Sequence, residues 1–159
     1  MKIKLYAIGK IKEDYLRLGI NEYLKRIEPY AHIEIVEVKD EPINDNPSLK
    51  EIEKAKDNEG ARVLKLLKNN EYLIALDLNK KQYKSEDFAA FLMQKLEENG
   101  SSVSFVIGGS YGLSDELKKR SNASISLSDM TFLHQMSRLI LLEQIYRAFK
   151  IINKETYHK

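Results

Sequence analysis

The chain has 159 residues, a formal net charge of +2 at pH 7 and no cysteine. Without cysteine it has no disulfide scaffold, thiolate nucleophile or zinc–thiolate site, and a reducing cytoplasm is the expected location. The net charge is too small to indicate nucleic-acid binding by itself. Three histidines, far apart in the sequence, give no metal-ligand spacing, so no metal is expected. No apolar run reaches membrane-spanning length, so no membrane association is expected.

Strand and helix patterns alternate through the first half of the chain. Residues 2–8 alternate apolar and polar side chains and end at Gly9, which is typical of a strand. Ser48 and Glu51 form a capping box, in which each side chain bonds the other residue's backbone N–H at a helix start. The patterns predict strands at 2–8 and 33–38 and helices at 14–27 and 48–68.

The second half continues the alternation. Two almost wholly apolar runs, 72–76 and 103–107, are typical of parallel strands buried on both faces. Ser114 is a good cap for a short helix with acidic residues in its first turn. The remaining patterns predict a helix from 85 to 100, a strand at 123–128 and a long helix at 133–153. We therefore expect a single domain spanning residues 1–159, with a parallel α/β sheet and helices on both faces.

The predicted strand ends place one group of loops at a common edge. Ligands of open α/β sheets bind beyond the carboxyl ends of the strands. There the chain has Leu76, then a turn rich in glycine at 108–112, then a loop rich in hydroxyl groups at 127–132. The glycines fit neither a dinucleotide fingerprint nor a phosphate loop, and a tight turn without a ligand is the simple alternative. The last loop would offer backbone groups to a purine edge and an apolar wall to its faces.

The predicted last helix is apolar on nearly all sides. Such a helix needs cover that a small sheet provides on one side only, so we expect a partner chain. Arg138 falls within its large apolar arc and is expected to meet a carboxylate, a phosphate or the ligand. His134, one turn earlier, is expected to be a hydrogen-bonded structural residue. Glu143 and Arg147 have the spacing of a helical ion pair.

The chain ends in a polar tail, residues 153–159. A frayed tail is the simple expectation. Its Tyr157 and His158 are unusual for a tail without function, because they could stack on a base and titrate near neutral pH.

Together these segments resemble the ribosomal RNA large-subunit methyltransferase H family of SPOUT (α/β-knot) methyltransferases. The resemblance covers the whole chain. Its markers are Ile8-Gly9-Lys10, Phe105 to Gly112, Met130-Thr131-Phe132 with His134-Gln135-Met136 and Arg138, Glu143 to Ala148, and Tyr157-His158-Lys159. The sequence departs from the pattern at Leu133, where relatives often have proline, which changes backbone stiffness but removes no functional group.

The resemblance implies methyl transfer from S-adenosylmethionine to N3 of a pseudouridine of large-subunit ribosomal RNA, in the assembled ribosome. It also implies a homodimer and a C-terminal trefoil knot. By matching position, it assigns RNA binding or stabilisation of the deprotonated base to Arg138, Arg147, Tyr157 and His158. The implied cofactor contacts are Leu76, Gly108, Leu127, Ser128, Asp129, Met130, Thr131 and Phe132.

Two other functions fit the residues alone. A dimeric nucleotide-binding module without enzymatic activity could use the same glycine edge. A ribosome-assembly factor could bind RNA without modifying it. Binding of adenine nucleotides but not S-adenosylmethionine favours the first, and ribosome binding without methyl incorporation favours the second.

Overall fold

Five parallel strands form one sheet in the order β2-β1-β4-β3-β5 in a computed structural model that describes residues 1–159. The strands are β1 (Lys2–Ile8), β2 (His32–Val38), β3 (Leu73–Gln82), β4 (Ser102–Ile107) and β5 (Ala123–Ser126). The helices are α1 (Asp14–Ile27), α2 (Leu49–Leu66), α3 (Ser85–Glu98), α4 (Asp115–Arg120) and α5 (His134–Ile152). The predicted α/β architecture is confirmed.

Each face of the sheet has its own hydrophobic core. Alternate side chains of β1 point to opposite sides, so Leu5 packs with α1, α3 and α5 while Tyr6 packs with α2 and α4. In β4, Phe105 and Val106 divide in the same way, and both are fully buried. Helices therefore cover both faces, which is why the central strands are apolar along most of their length.

Most predicted boundaries agree with the structure, and the exceptions lie near the carboxyl edge. Ser48 accepts a hydrogen bond from Glu51 N at 3.1 Å, and Ser114 caps α4 through Leu117 N at 3.2 Å. β3 is longer than predicted and continues to Gln82, whereas β5 ends at Ser126, before the predicted end. The pairing of β3 with β5 shifts between Leu76 and Lys81, around Asn79 at a positive φ of 58°. None of the helices combines the length and apolar character that crossing a membrane requires.

Candidate functional site

A cavity of about 840 Å³ opens at the carboxyl ends of three strands. Leu76 pairs with Ile107 on one side and with Ile125 on the other, so the loops after β3, β4 and β5 start side by side. The cavity is lined by residues 76–80, Ile107, the turn 108–112, Lys118, and the segment after β5: Leu127, Ser128, Met130, Thr131, Phe132, Leu133, His134 and Ser137. The structure thus brings together the strand ends that the sequence places at one edge.

The glycine turn after β4 is closed on itself. Gly112 N donates to the Gly109 carbonyl at 3.1 Å, and Gly112 has a φ of +89°, which side-chain-bearing residues rarely adopt. A Cβ on Gly108 would lie 2.6 Å from the carbonyl carbon of Gly112. Gly108 must therefore lack a side chain for the turn to fold back over the strand end. No side chain then covers its backbone on the side of the cavity.

The loop after β5 keeps most of its backbone groups free. Met130 N donates to Ser128 Oγ at 3.0 Å, but no other backbone N–H or carbonyl of residues 127–132 is hydrogen bonded within the chain. Asp129, outside the cavity lining, accepts a hydrogen bond from Gln82 of the long β3. The loop is therefore held through a side chain, and its backbone remains available to a ligand.

Asp77 and Lys118 add charge to the cavity. The carboxylate lies 3.5 Å from Lys118 Nζ and accepts a hydrogen bond from Leu78 N at 2.9 Å. The Asp77 carbonyl accepts from Ser126 Oγ, whose oxygen also accepts from Lys80 N at 2.8 Å. These bonds fix the strand end, so the carboxylate has a defined position beside the cavity. The sequence gives no signal for Lys118, because only the fold brings α4 to this edge.

Arg138 forms a buried structural ion pair and does not line the cavity. Its side chain, with the residue 3% exposed, donates to Glu37 Oε2 at 2.8 Å and to the Gly9 carbonyl at 3.2 Å. Its Nε has no partner. Of the three expected partners, the structure supplies the carboxylate. The pair joins α5 to the ends of β1 and β2, next to the cavity.

His134 does not have the structural hydrogen bond expected from the sequence. No bond to its ring is present, and the side chain, half-buried, faces the cavity. Burial lowers the pKa of His134, as do the charges of Arg138 and Lys12, against the opposite effect of Asp40. The ring is therefore mainly neutral at pH 7. The expected hydrogen bond is absent, and the ring lines the cavity at the start of α5 instead.

The tail is docked rather than frayed. Tyr157 stacks edge-on against Tyr146, with ring centroids 4.8 Å apart, and its hydroxyl contacts Glu143 at 3.1 Å. His158 lies 3.2 Å from an Arg147 nitrogen and 2.8 Å from Glu86. The predicted Glu143–Arg147 pair is present. Burial raises the pKa of Tyr157, and so do its contacts with Tyr23 and Glu143, so the phenol stays protonated.

Arg147 and the tail do not meet the cavity of their own chain. Arg147 lies thirteen residues beyond His134 on α5, which is about 20 Å along the axis at a rise of about 1.5 Å per residue. The structure therefore groups the predicted cofactor residues at one place and Arg147, Tyr157 and His158 at another.

The family model for predicted SPOUT methyltransferases matches residues 1–158. The chain belongs to the SPOUT methyltransferase family. It is 49% identical to a ribosomal RNA large subunit methyltransferase H of Halothermothrix orenii and 50% identical to one of Clostridioides difficile, each over all of both chains. A solved putative methyltransferase of Legionella pneumophila with bound SAM covers 94% of this chain and 66% of its own, at 13% identity and a TM-score of 0.49.

SPOUT membership confirms the resemblance and the enzyme class, and excludes a nucleotide-binding module without enzymatic activity. S-adenosylmethionine is the cofactor of this class, as predicted. The cavity fits such a molecule, because Leu76, Ile107 and Phe132 offer apolar surface to a purine ring and the free backbone of 127–132 offers donors and acceptors to its edge. A group of acidic, histidine or cysteine side chains able to hold a metal ion is absent.

Proposed function

We propose that this protein methylates N3 of a pseudouridine of large-subunit ribosomal RNA in the assembled ribosome, with S-adenosylmethionine as methyl donor. The observation that carries the proposal is the large cavity at the three strand ends, bounded by the glycine turn and by a loop with free backbone groups, in a chain of this family. Full-length relatives at about half identity are named as methyltransferases of the same RNA. Because the proposed substrate is the ribosome, we also propose a cytoplasmic location.

The chemistry needs little from reactive side chains. When bound, S-adenosylmethionine would supply an electrophilic methyl carbon: N3, after loss of its proton to solvent, would bond to this carbon as the methyl–sulfur bond breaks, and S-adenosylhomocysteine would be the leaving group. The protein must hold both reactants in line and keep water away. The backbone of 127–132 and the turn at 108–112 bind and orient the cofactor in this proposal, while Leu76 and Phe132 cover its apolar faces. Asp77 is placed to accept hydrogen bonds from a polar part of the cofactor.

We infer that the active form is a homodimer. Tyr15 and Leu18 of α1 are 60% and 70% exposed, and the neighbouring face of α5 has half-buried Met136 and Leu139. A second copy on this face would cover the apolar side of α5 that the sheet of its own chain leaves open. It would also bring the tail of one chain toward the cavity of the other, which the separation of about 20 Å rules out within one chain.

We also propose that the chain after β5 forms the trefoil knot implied by the family. β5 is an edge strand, yet α5 returns beneath the sheet to pack against α1 and α3. At the start of α5, Gln135 Oε1 accepts a hydrogen bond from Lys12 N at 3.0 Å. The chain therefore crosses from the edge strand to the loop after β1, a path that supports threading through the loops at the strand ends.

The tail provides a test of the RNA-directed part of the function. Deleting residues 157–159 should abolish methyl transfer and leave cofactor affinity nearly unchanged, since these residues lie far from the cavity of their own chain. Transfer of tritiated methyl to ribosomes from a strain lacking the enzyme measures the first, and calorimetry with S-adenosylmethionine measures the second.

The matched control is Lys154→Ala, a change in the same tail that removes none of the Tyr157 or His158 contacts. It should methylate ribosomes like the wild type. Unchanged turnover of the deletion variant would contradict the role of the tail. An absence of label with the wild-type protein would contradict the proposed function itself.

A further inference from the structure

A second cavity of about 400 Å³ adjoins the first and carries excess negative charge. Of its acidic residues, Glu41 pairs with Arg62, whereas Asp40, Asp45 and Glu59 have no salt bridge. Lys56, the one lysine or arginine in the lining, lies 2.9 Å from a carboxylate oxygen of Glu53. The cavity is therefore suited to a cation and unsuited to an RNA phosphate.

Glu59 is the buried member of this group. The residue is 7% exposed, its Oε2 accepts a hydrogen bond from Glu41 N at 2.9 Å, and its Oε1 accepts none from the protein. Burial raises the pKa of Glu59 despite that hydrogen bond. Most of the Glu59 side chain is shielded from solvent, and Oε1 lines the cavity without a protein donor, so a ligand that donates to Oε1 would stabilise the carboxylate.

The wall between the two cavities is thin. Gly109, Ser110, Tyr111 and His134 line both of them. A Cβ on Gly109 would lie 3.3 Å from both carboxylate oxygens of Glu59. The missing side chain lets the carboxylate approach the turn that bounds the cofactor cavity, so a ligand that fills the first cavity needs only a short extension to reach the second.

We propose that the second cavity binds the α-ammonium group of the methyl donor, with Glu59 as the acceptor and Asp40 adding negative charge. The proposal rests on the proposed cofactor. The amino-acid end of S-adenosylmethionine carries this ammonium group, which can donate charge-assisted hydrogen bonds to a carboxylate. Lys56 is then the cation available to the α-carboxylate of the same group. The sequence gives no sign of this site, since residues 40–45 and 59 meet only in the fold.

Calorimetry on the purified full chain with three nucleosides tests the assignment. S-adenosylmethionine and S-adenosylhomocysteine both carry the ammonium group, whereas 5′-methylthioadenosine lacks the amino-acid end. Glu59→Gln keeps an acceptor for Glu41 N but removes the charge. We expect it to weaken the first two ligands by about tenfold or more and to leave methylthioadenosine unchanged.

The matched control is Asp57→Asn, which removes one negative charge from an exposed position of α2 outside the cavity and should bind all three ligands like the wild type. If Glu59→Gln does not fold, Asp40→Asn is the variant to use instead. It should weaken binding of the same two ligands. The assignment would be overturned if the wild type bound all three ligands with equal affinity. It would also be overturned if Glu59→Gln weakened all three ligands equally, or weakened S-adenosylmethionine alone. If the variant binds normally and still methylates ribosomes, the subsite is wrong and the proposed function stands. If the wild type binds neither S-adenosylmethionine nor S-adenosylhomocysteine, the proposed function fails.

Discussion

Gly108 is a position at which an added side chain would collide with backbone atoms rather than with a side chain that can move. Gly108→Ala would place its methyl group 2.6 Å from a backbone carbon of Gly112, so the turn must move. We expect cofactor affinity to fall by at least about tenfold, since a displacement of that backbone disturbs the wall of the cavity. Calorimetry with S-adenosylhomocysteine measures the effect.

The control for this prediction is Ser110→Ala, a change in the same turn that removes a hydroxyl without crowding the backbone. It should bind the cofactor within a few-fold of the wild type. Normal affinity of the Gly108→Ala protein would show that the turn does not shape the cofactor site.

Leu133 is the position where members of the family that the sequence resembles often have proline. Its φ is −54°, within the range that proline imposes, and its backbone N–H makes no hydrogen bond in the chain. Leu133→Pro should therefore raise the free energy of unfolding by about 0.4–1 kcal/mol, because it restricts the unfolded chain. Urea unfolding measures this. A loss of stability would mean that Phe132 needs a backbone conformation that a following proline forbids.

Within the sheet, Glu71 joins β1, β3 and β4 at the edge opposite the cavity. Its carboxylate accepts from Tyr6 at 2.9 Å and from Ser104 at 2.8 Å, and Lys4 lies 3.4 Å away. Burial raises the pKa of Glu71, but the hydrogen bonds from Ser104, Lys68 N and Tyr6, with the charge of Lys4, outweigh it and the pKa is lowered. The charged carboxylate therefore stabilises the fold.

A group with a lowered folded pKa contributes stability above its unfolded pKa and loses it as the pH falls through the folded value. Glu71→Gln should thus lower the free energy of unfolding by about 1.5–3 kcal/mol at pH 7, with a smaller difference from the wild type near pH 3. Urea unfolding at both values measures this. Glu34→Gln, which removes an exposed partner of Lys2, is the control and should change little. A penalty that does not depend on pH would contradict the electrostatic explanation.

At the scale of elements, periodicity predicts nearly all of this fold. The apolar runs of β3 and β4 and the caps Ser48 and Ser114 are local signals, and local signals predict elements well. The extension of β3 to Gln82 could not be predicted from the sequence, because residues 79–82 are polar and pair with β5 only through a register shift. Tail docking was missed for a similar reason, since Tyr157 contacts Tyr146 and Glu143 only after the chain reverses beyond α5.

For the whole molecule, the exposed apolar face of α1 is the surface on which the proposed dimer depends. Leu18→Asp should convert the proposed dimer into a monomer, because it places a charge in the centre of that face. Light scattering coupled to gel filtration measures the mass, and methyl transfer to ribosomes should be lost with the dimer. Leu49→Asp is the control, since Leu49 is 83% exposed on α2. A monomeric wild type, or a dimeric Leu18→Asp protein, would contradict the assignment of the face.

The cofactor cavity was predictable to the extent that it follows the ends of strands. Leu76, Gly108 and the loop after β5 meet because parallel strands deliver their carboxyl ends to one edge. Lys118 and Glu59 were not predictable, since they reach the edge on the helices α4 and α2, whose positions depend on packing. His134 was assigned wrongly because sequence spacing does not show which way a residue at the start of a helix points.

The segments 108–112 and 127–132 supply about half of the residues that line the proposed cofactor cavity, and their backbone contributes much of what they offer to a ligand. Main-chain groups are the same in every residue, so the contacts that this backbone makes depend little on which side chains the segments carry, as long as Gly108 and Gly112 keep the turn closed. A search of a genome for the usual reactive groups, a nucleophile beside a base or a cluster of metal ligands, would pass over an enzyme built in this way. The most informative positions in the sequence of such an enzyme are the glycines that keep the turn closed.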